Sequence, residues 1–128
     1  MKNRARLEAY LRRCEGMAVD YRHFDCVRFI TGWLEQSGHR IELPQWDTPE
    51  TARWAIRREG GRKVTDLVTA RLGCPVAPYL APWGSIAAFD RKPFDALGIV
   101  DGSRVVALSP LGGFHFMPLR AASLAWCV

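Results

Sequence analysis

The stretch Phe-Asp-Cys-Val-Arg-Phe-Ile places Cys26 directly after Asp25, at the start of an apolar run. If this run is a helix, Cys26 lies at its N-terminus, where the helix dipole and unpaired backbone N–H groups favour a thiolate over a thiol. The thiolate is the nucleophilic form of cysteine, so Cys26 is a candidate nucleophile. Asp25 is predicted to cap the same helix through its carboxylate.

A cysteine nucleophile also needs a base, and the sequence contains three histidines, at positions 23, 39 and 115. His23 precedes the Cys26 helix and His39 follows its end, so we interpret both as structural loop residues. His115, within Gly-Gly-Phe-His-Phe-Met-Pro, could act as the base if its strand lay beside Cys26. The alternatives are that His115 is a strand residue without a catalytic role and that Cys26 is the non-catalytic relic of a nucleophile.

The first 73 residues show the pattern of helices that must position this cysteine. Apolar residues recur at helical spacing, and the segments end at glycines or begin at Thr48-Pro49, a good helix start. The predicted helices cover residues 3–14, 25–36, 50–58 and 64–72. The face of the second helix that carries Cys26, Phe29, Ile30 and Trp33 is expected to pack on a sheet.

The later residues change to short β-type runs. Pro75, Pro78 and Pro82 exclude a long helix in the connection, and Asp101-Gly102 is a strong hairpin signal. The predicted strands cover residues 85–89, 96–100, 104–108, 114–119 and 123–128. Helices followed by strands indicate an α+β fold with an antiparallel sheet, in one domain of 128 residues: a helical part, 1–73, and a sheet part, 84–128.

Five tryptophans are many for a domain of this size. The helical stripes predict that Trp33 and Trp54 lie in the core. Trp46 and Trp83 fall in proline-bearing loops, where a large aromatic side chain often contacts a partner protein. Trp126 belongs to an unusually apolar C-terminal segment and is the third interface candidate. Partner contacts are therefore expected in residues 41–46, 75–83 or 121–128.

Composition excludes several classes of function. The net charge of +5 is spread along the chain without a nucleic-acid-binding motif, so no specific nucleic-acid partner is expected. No apolar run spans a membrane, no secretory signal is present, and neither a phosphate loop nor a metal-ligand cluster predicts a cofactor or metal. The cysteines have no CxxC spacing, and three of the four are expected to be buried apolar fillers rather than disulfides.

The order of these motifs resembles the papain-like fold of NlpC-type cell-wall peptidases, particularly a phage-encoded NlpC-like family of unknown function. In that fold an Asp-Cys pair opens a helix, and strands of the type Gly-Asp-Leu-Val-Phe-Phe and His-Val-Gly-Ile follow. The corresponding segments here are Asp25-Cys26, the strand from Gly84-Ser85 to Phe89, and Ala96-Leu97-Gly98-Ile99. The resemblance covers residues 20–128.

This chain departs from the family pattern at the residues that would do the chemistry. Ala96 stands where the family has its general-base histidine, Ala107 where the polar residue that orients it would fall, and Ser85 where the strand has aspartate. Alanine can neither hold a thiolate nor protonate a leaving amine. The resemblance therefore implies a degenerate hydrolase site rather than a working one.

Three functions remain open from the sequence. The first, implied by the resemblance, is a non-catalytic structural protein of a phage tail tip or of tail assembly, made in the bacterial host cytoplasm and carried in the virion among other tail proteins. The second is an active cysteine peptidase or amidase that cleaves peptidoglycan with Cys26, using His115 or a residue of a partner protein as base. The third is a small adaptor protein unrelated to peptidases.

Overall fold

The computed structural model describes residues 2–15, 26–39, 41–44, 48–90, 95–109 and 113–128. Within these residues the helices come first: α1 (Lys2–Cys14), α2 (Cys26–Gln36), α3 (Pro49–Arg58) and α4 (Val64–Leu72). The strands follow: β1 (Ile86–Phe89), β2 (Ala96–Asp101), β3 (Arg104–Leu108), β4 (Phe114–Pro118) and β5 (Leu124–Trp126). Short 3-10 helices cover Pro78–Leu80 and Leu119–Ala121. The α+β prediction is confirmed.

The five strands form one antiparallel sheet in the order β4-β3-β2-β1-β5. Each strand from β1 to β4 pairs with the next strand along the chain. Strand β5 then pairs with β1 on the side that β2 leaves free. The turn between β2 and β3 contains Gly102 at φ 70°, a backbone conformation that glycine adopts without steric cost. The antiparallel arrangement and the hairpin at Asp101-Gly102 are therefore confirmed.

The two faces of the sheet have different coverings because strand side chains alternate in direction. One face, which we call the helix-covered face, shares a core with the helices through Ile86, Ala88, Leu97, Ile99, Val106 and Leu108. The other, which we call the second face, carries Ala87, Phe89, Ala96, Val100, Val105, Ala107 and Ala125. Partly buried side chains from before β1 and from the end of the sheet, including those of Val76 and Leu119, pack on the second face.

Helix α2 lies on β2 and β3 and supplies large apolar side chains to the core. Phe29, Ile30 and Trp33 are almost completely buried, as the spacing predicted. The Trp33 indole Nε1 donates a hydrogen bond of 2.7 Å to the backbone oxygen of Gly84. A Cβ at Gly84 would lie only 2.9 Å from the Trp33 ring, so glycine lets α2 approach the segment that leads into β1.

Helix α1 packs on α2 through Tyr10, whose hydroxyl donates a hydrogen bond of 2.6 Å to the backbone oxygen of Phe29. The Tyr10 ring also stacks on Phe29 at 5.8 Å between centroids. Burial is the main cause that raises the pKa of Tyr10 above its usual range, so this phenol stays protonated and can donate. These contacts fix the helix that begins with Cys26.

Two predictions about tryptophans are wrong. Trp54 is 72% exposed, because α3 turns its small apolar residues Ala52, Ala55 and Ile56 toward the core instead. Trp126 is only 1% exposed, because β5 pairs with β1 and places that ring in the helix-covered core. The apolar C-terminal segment is therefore largely internal, and Trp126 is not available as an interface residue.

Candidate thiol site and binding surface

Cys26 is the first residue of α2 and is partly exposed, with its side chain packed at the margin of the main core. The helix start predicted for this thiol is thus present. Asp25, His23 and Trp46 lie outside the described residues, so the predicted cap, the loop histidine and the loop interface residue are left as sequence predictions. Electrostatically, the N-terminal end of α2 favours a thiolate.

The structure does not bring His115 to Cys26. His115 lies on β4, the outer strand, and pairs directly with Ala107 of β3, whose side chain is on the second face. Directly opposed strand residues share a face, so the exposed His115 side chain also leaves the sheet on the second face. Cys26 packs on the core of the helix-covered face. The sheet itself separates the two groups.

His39 does not reach Cys26 either. It lies beyond the C-terminal end of α2, whereas Cys26 begins that helix of 11 residues. With a rise of about 1.5 Å per residue, the two ends of α2 are about 16 Å apart along the helix axis. Neither described histidine can therefore act as base toward Cys26 in this arrangement.

The positions that the resemblance assigns to the base and its orienting residue also lie on the second face. Ala96, which pairs with Phe89, and Ala107 are both buried there. Ser85 is completely buried just before β1, and its Oγ has no hydrogen-bond partner in the described part of the chain. The side chain of a histidine introduced at position 96 would thus leave the sheet on the second face, opposite α2.

Trp83 lines a shallow groove between the segment before β1 and the β2–β3 turn. Its indole Nε1 donates a hydrogen bond of 2.8 Å to Asp101, and the Arg4 guanidinium lies 5.0 Å from its ring centroid. Arg104 donates to the same carboxylate, at 2.9 Å. Trp83 therefore has a structural role in holding the hairpin turn, and the sequence prediction of a partner contact remains a prediction.

The outer surface of α3 is the most distinctive exposed feature among the described residues. Trp54 lies there with Arg53, Arg57 and Arg58, all exposed, beside a single acidic residue, Glu50. None of the three arginines forms an ion pair with another described residue. We call this set the arginine–tryptophan face. It combines an exposed aromatic ring with an excess of positive charge.

Sequence reasoning missed this face because it assigned Trp54 to the core. The signal was present: Arg53, Trp54, Arg57 and Arg58 fall on one side of a helix at spacings of three and four residues. The opposite side already had Ala52 and Ile56 for burial. A tryptophan that is surrounded by arginines, rather than by apolar residues, indicates that its side of the helix faces solvent.

Among the residues that the structure describes, no group of three or more histidine, cysteine or acidic side chains could hold a metal ion. No described helix is long and apolar enough to cross a membrane.

The fold and these positions define an α+β protein with a cysteine at the start of the helix that covers its antiparallel sheet. The chain belongs to the family described as Domain of unknown function (DUF6950), whose model matches residues 1–128. No curated protein matches the chain.

Proposed function

We propose that this chain is a non-catalytic assembly protein that binds a partner protein through the arginine–tryptophan face. The observation that carries the proposal is the exposure of Trp54, 72%, at the centre of three arginines. A large aromatic ring in water gains free energy when a partner buries it. Tryptophan and arginine are also the side chains that most often dominate binding energy in protein interfaces.

The charges on this face indicate the chemistry of the partner. Arg53, Arg57 and Arg58 carry three positive charges against one negative charge on Glu50, so the surface complements acidic side chains. Arginine binds carboxylates with paired, geometrically fixed hydrogen bonds. The partner surface should therefore combine carboxylates with an apolar patch that receives the indole ring.

The positions of the two described histidines support a binding role over catalysis. His115 lies across the sheet and His39 at the far end of α2, so a thiolate at Cys26 has neither as a proton acceptor. From the NlpC-like resemblance we extend the proposal to a component of a phage tail tip or of tail assembly. The acidic partner would then be another tail protein, and the assembled chain would be found in the virion.

Charge reversal on α3 tests the proposal in a phage or prophage that encodes this chain. The test variant carries Arg57→Glu and Arg58→Glu, and the control variant carries Arg12→Glu and Arg120→Glu at exposed positions elsewhere, which changes the net charge equally. The amount of each variant in purified particles is measured by quantitative mass spectrometry. We expect the α3 variant to be lost from particles and the control to be retained. Equal retention of both would refute the role of α3, and absence of the unaltered chain from particles would refute the tail assignment.

A second candidate function is a thiol hydrolase of peptidoglycan. It is favoured by one observation, the partly exposed Cys26 at the first residue of a helix. Because His115 lies on the other face, this function needs a base from another source, such as a residue of a partner protein. Cleavage of peptidoglycan that disappears with Cys26→Ala would establish it in place of the assembly role.

A further inference from the structure

Two exposed cysteines each lie two residues from a backbone bridge that joins their segments. Val76 and Ala125 form an isolated antiparallel bridge in which each residue bonds the other: Val76 N donates to Ala125 O at 2.7 Å and Ala125 N donates to Val76 O at 3.1 Å. In an antiparallel ladder, moving two residues back on one chain and two forward on the other reaches the next pair of the same hydrogen-bonded kind. The register of the bridge, continued in this way, would set Cys74 opposite Cys127.

This register would suit a disulfide. In it the Cα atoms of the two cysteines would lie about 5.5 Å apart, within the range of about 4.4–6.8 Å that a disulfide bridges. Cys74 lies on the same side of its strand as Val76, and Cys127 on the same side as Ala125, which both pack on the second face. Both thiols are exposed and neither is in a disulfide, so the prediction that three of the four cysteines are buried fillers is wrong.

The segments that carry the two cysteines are held in place on both sides. Cys74 follows Gly73, which ends α4 at φ 92°. Cys127 follows Trp126, whose indole Nε1 donates to Thr69 Oγ1 of α4 at 3.3 Å, while β5 pairs with β1. Pro75, between Cys74 and Val76, lacks an N–H, but at that position of an edge segment the N–H would point away from β5. The bridge that joins the two cysteine-bearing segments is thus anchored by the fold on both sides.

We propose that Cys74 and Cys127 form an intramolecular disulfide when the chain meets an oxidising environment. The bond would tie the C-terminal end of β5 to the end of α4 and close residues 74–127, which include the whole sheet, into a loop. It requires no catalytic role for Cys26 and does not rest on the proposed function. Disulfides of this kind persist outside reducing compartments and are reduced within them.

The reaction balances with a low-molecular-weight disulfide such as oxidised glutathione. The thiolate of one cysteine attacks that disulfide, forms a mixed disulfide and releases one glutathione thiolate. The thiolate of the second cysteine then attacks the protein sulfur and releases the other. The two protein thiols lose two protons and two electrons, and the glutathione disulfide accepts both electrons and becomes two glutathione thiols.

Peptide mapping tests the proposal on the purified full chain. Each cysteine falls in a different tryptic peptide, with Cys74 in residues 72–91 and Cys127 in residues 121–128. The chain is equilibrated with oxidised glutathione, and intact mass and non-reduced tryptic peptides are measured. The comparison variants are Cys74→Ser, Cys127→Ser and Cys26→Ser, of which the last retains the proposed pair.

We expect the unaltered chain and Cys26→Ser to lose the mass of two hydrogen atoms and to yield peptides 72–91 and 121–128 as one linked species. Oxidation should raise their midpoint of thermal unfolding by on the order of 10 °C, because the bond restricts the unfolded chain. Cys74→Ser and Cys127→Ser should show neither change. Separate glutathione adducts on Cys74 and Cys127 without a linked species, or a link between two chains only, would overturn the proposal.

Discussion

Cys26 and His115 lie on opposite sides of the sheet. Cys26 begins the helix that packs on the helix-covered face, and His115 pairs with Ala107, whose side chain belongs to the second face. A proton cannot pass directly between groups that a packed sheet separates, because general base catalysis needs contact at hydrogen-bond distance. Neither of the two histidines in the described part of the chain, His39 and His115, is therefore placed to act as a base for Cys26.

The reactivity of the four thiols provides the first prediction. We expect iodoacetamide at neutral pH to modify the exposed Cys74 and Cys127 first and the half-buried Cys26 more slowly. Cys14 should react last, because burial raises the pKa of its thiol and excludes the reagent. Time-resolved labelling of the reduced protein, followed by tryptic mapping, measures all four rates at once. Modification of Cys26 ahead of the two exposed thiols would indicate an activated thiolate and contradict this prediction.

The two tryptophans on helices are expected to differ in their effect on stability. Trp33→Ala should lower the free energy of unfolding by about 3–5 kcal/mol, because it empties a buried site and removes the hydrogen bond to Gly84. Trp54→Ala, the matched control, should change it by less than about 0.5 kcal/mol because the ring is exposed. Urea denaturation measures both. A large loss of stability in Trp54→Ala would mean that Trp54 has a role in the core.

Replacing Gly32 by alanine should lower the stability of the protein, whereas the same replacement at an ordinary glycine within a helix raises it. Alanine within a helix is normally more favourable than glycine by about 1 kcal/mol. A Cβ at position 32, however, would overlap the hydroxyl of Tyr10, which Phe29 holds in place. We therefore expect Gly32→Ala to destabilise the protein by about 1–3 kcal/mol in urea denaturation.

The control for Gly32→Ala is the same change in a Tyr10→Phe background, where the overlapping oxygen is absent. The cost of Gly32→Ala should shrink there or change sign, giving a measurable coupling between the two positions. Equal costs in both backgrounds would show that the Tyr10 hydroxyl is not the obstacle.

The sequence predicted the elements well because their signals are local. The prediction of residues 64–72 matches α4, and that of residues 104–108 matches β3, since apolar spacing and flanking glycines or turn residues fix both ends. The α+β order followed from the same patterns. Thr48, predicted as a helix cap, accepts from Thr51 N at 3.2 Å as expected.

The sequence could not predict which side of an element faces the core when two sides are plausible. Trp54 was assigned to the core from its place in a helical stripe, yet Ala52 and Ile56 fill the buried side of that helix. Trp126 was assigned to the surface by its place near the C-terminus, yet pairing of β5 with β1 buries it. Strand order and register also decide that Cys26 and His115 lie on opposite sides of the sheet, and they depend on contacts between residues distant in sequence.

We propose that this chain acts by binding rather than by catalysis at Cys26, and turnover on peptidoglycan distinguishes the two. Purified peptidoglycan is incubated with the unaltered chain and with Cys26→Ala, beside a known cysteine hydrolase as positive control, and released fragments are measured by mass spectrometry. We expect no release above buffer by either form. Release by the unaltered chain that is lost in Cys26→Ala would show that Cys26 is catalytic and would contradict the binding role.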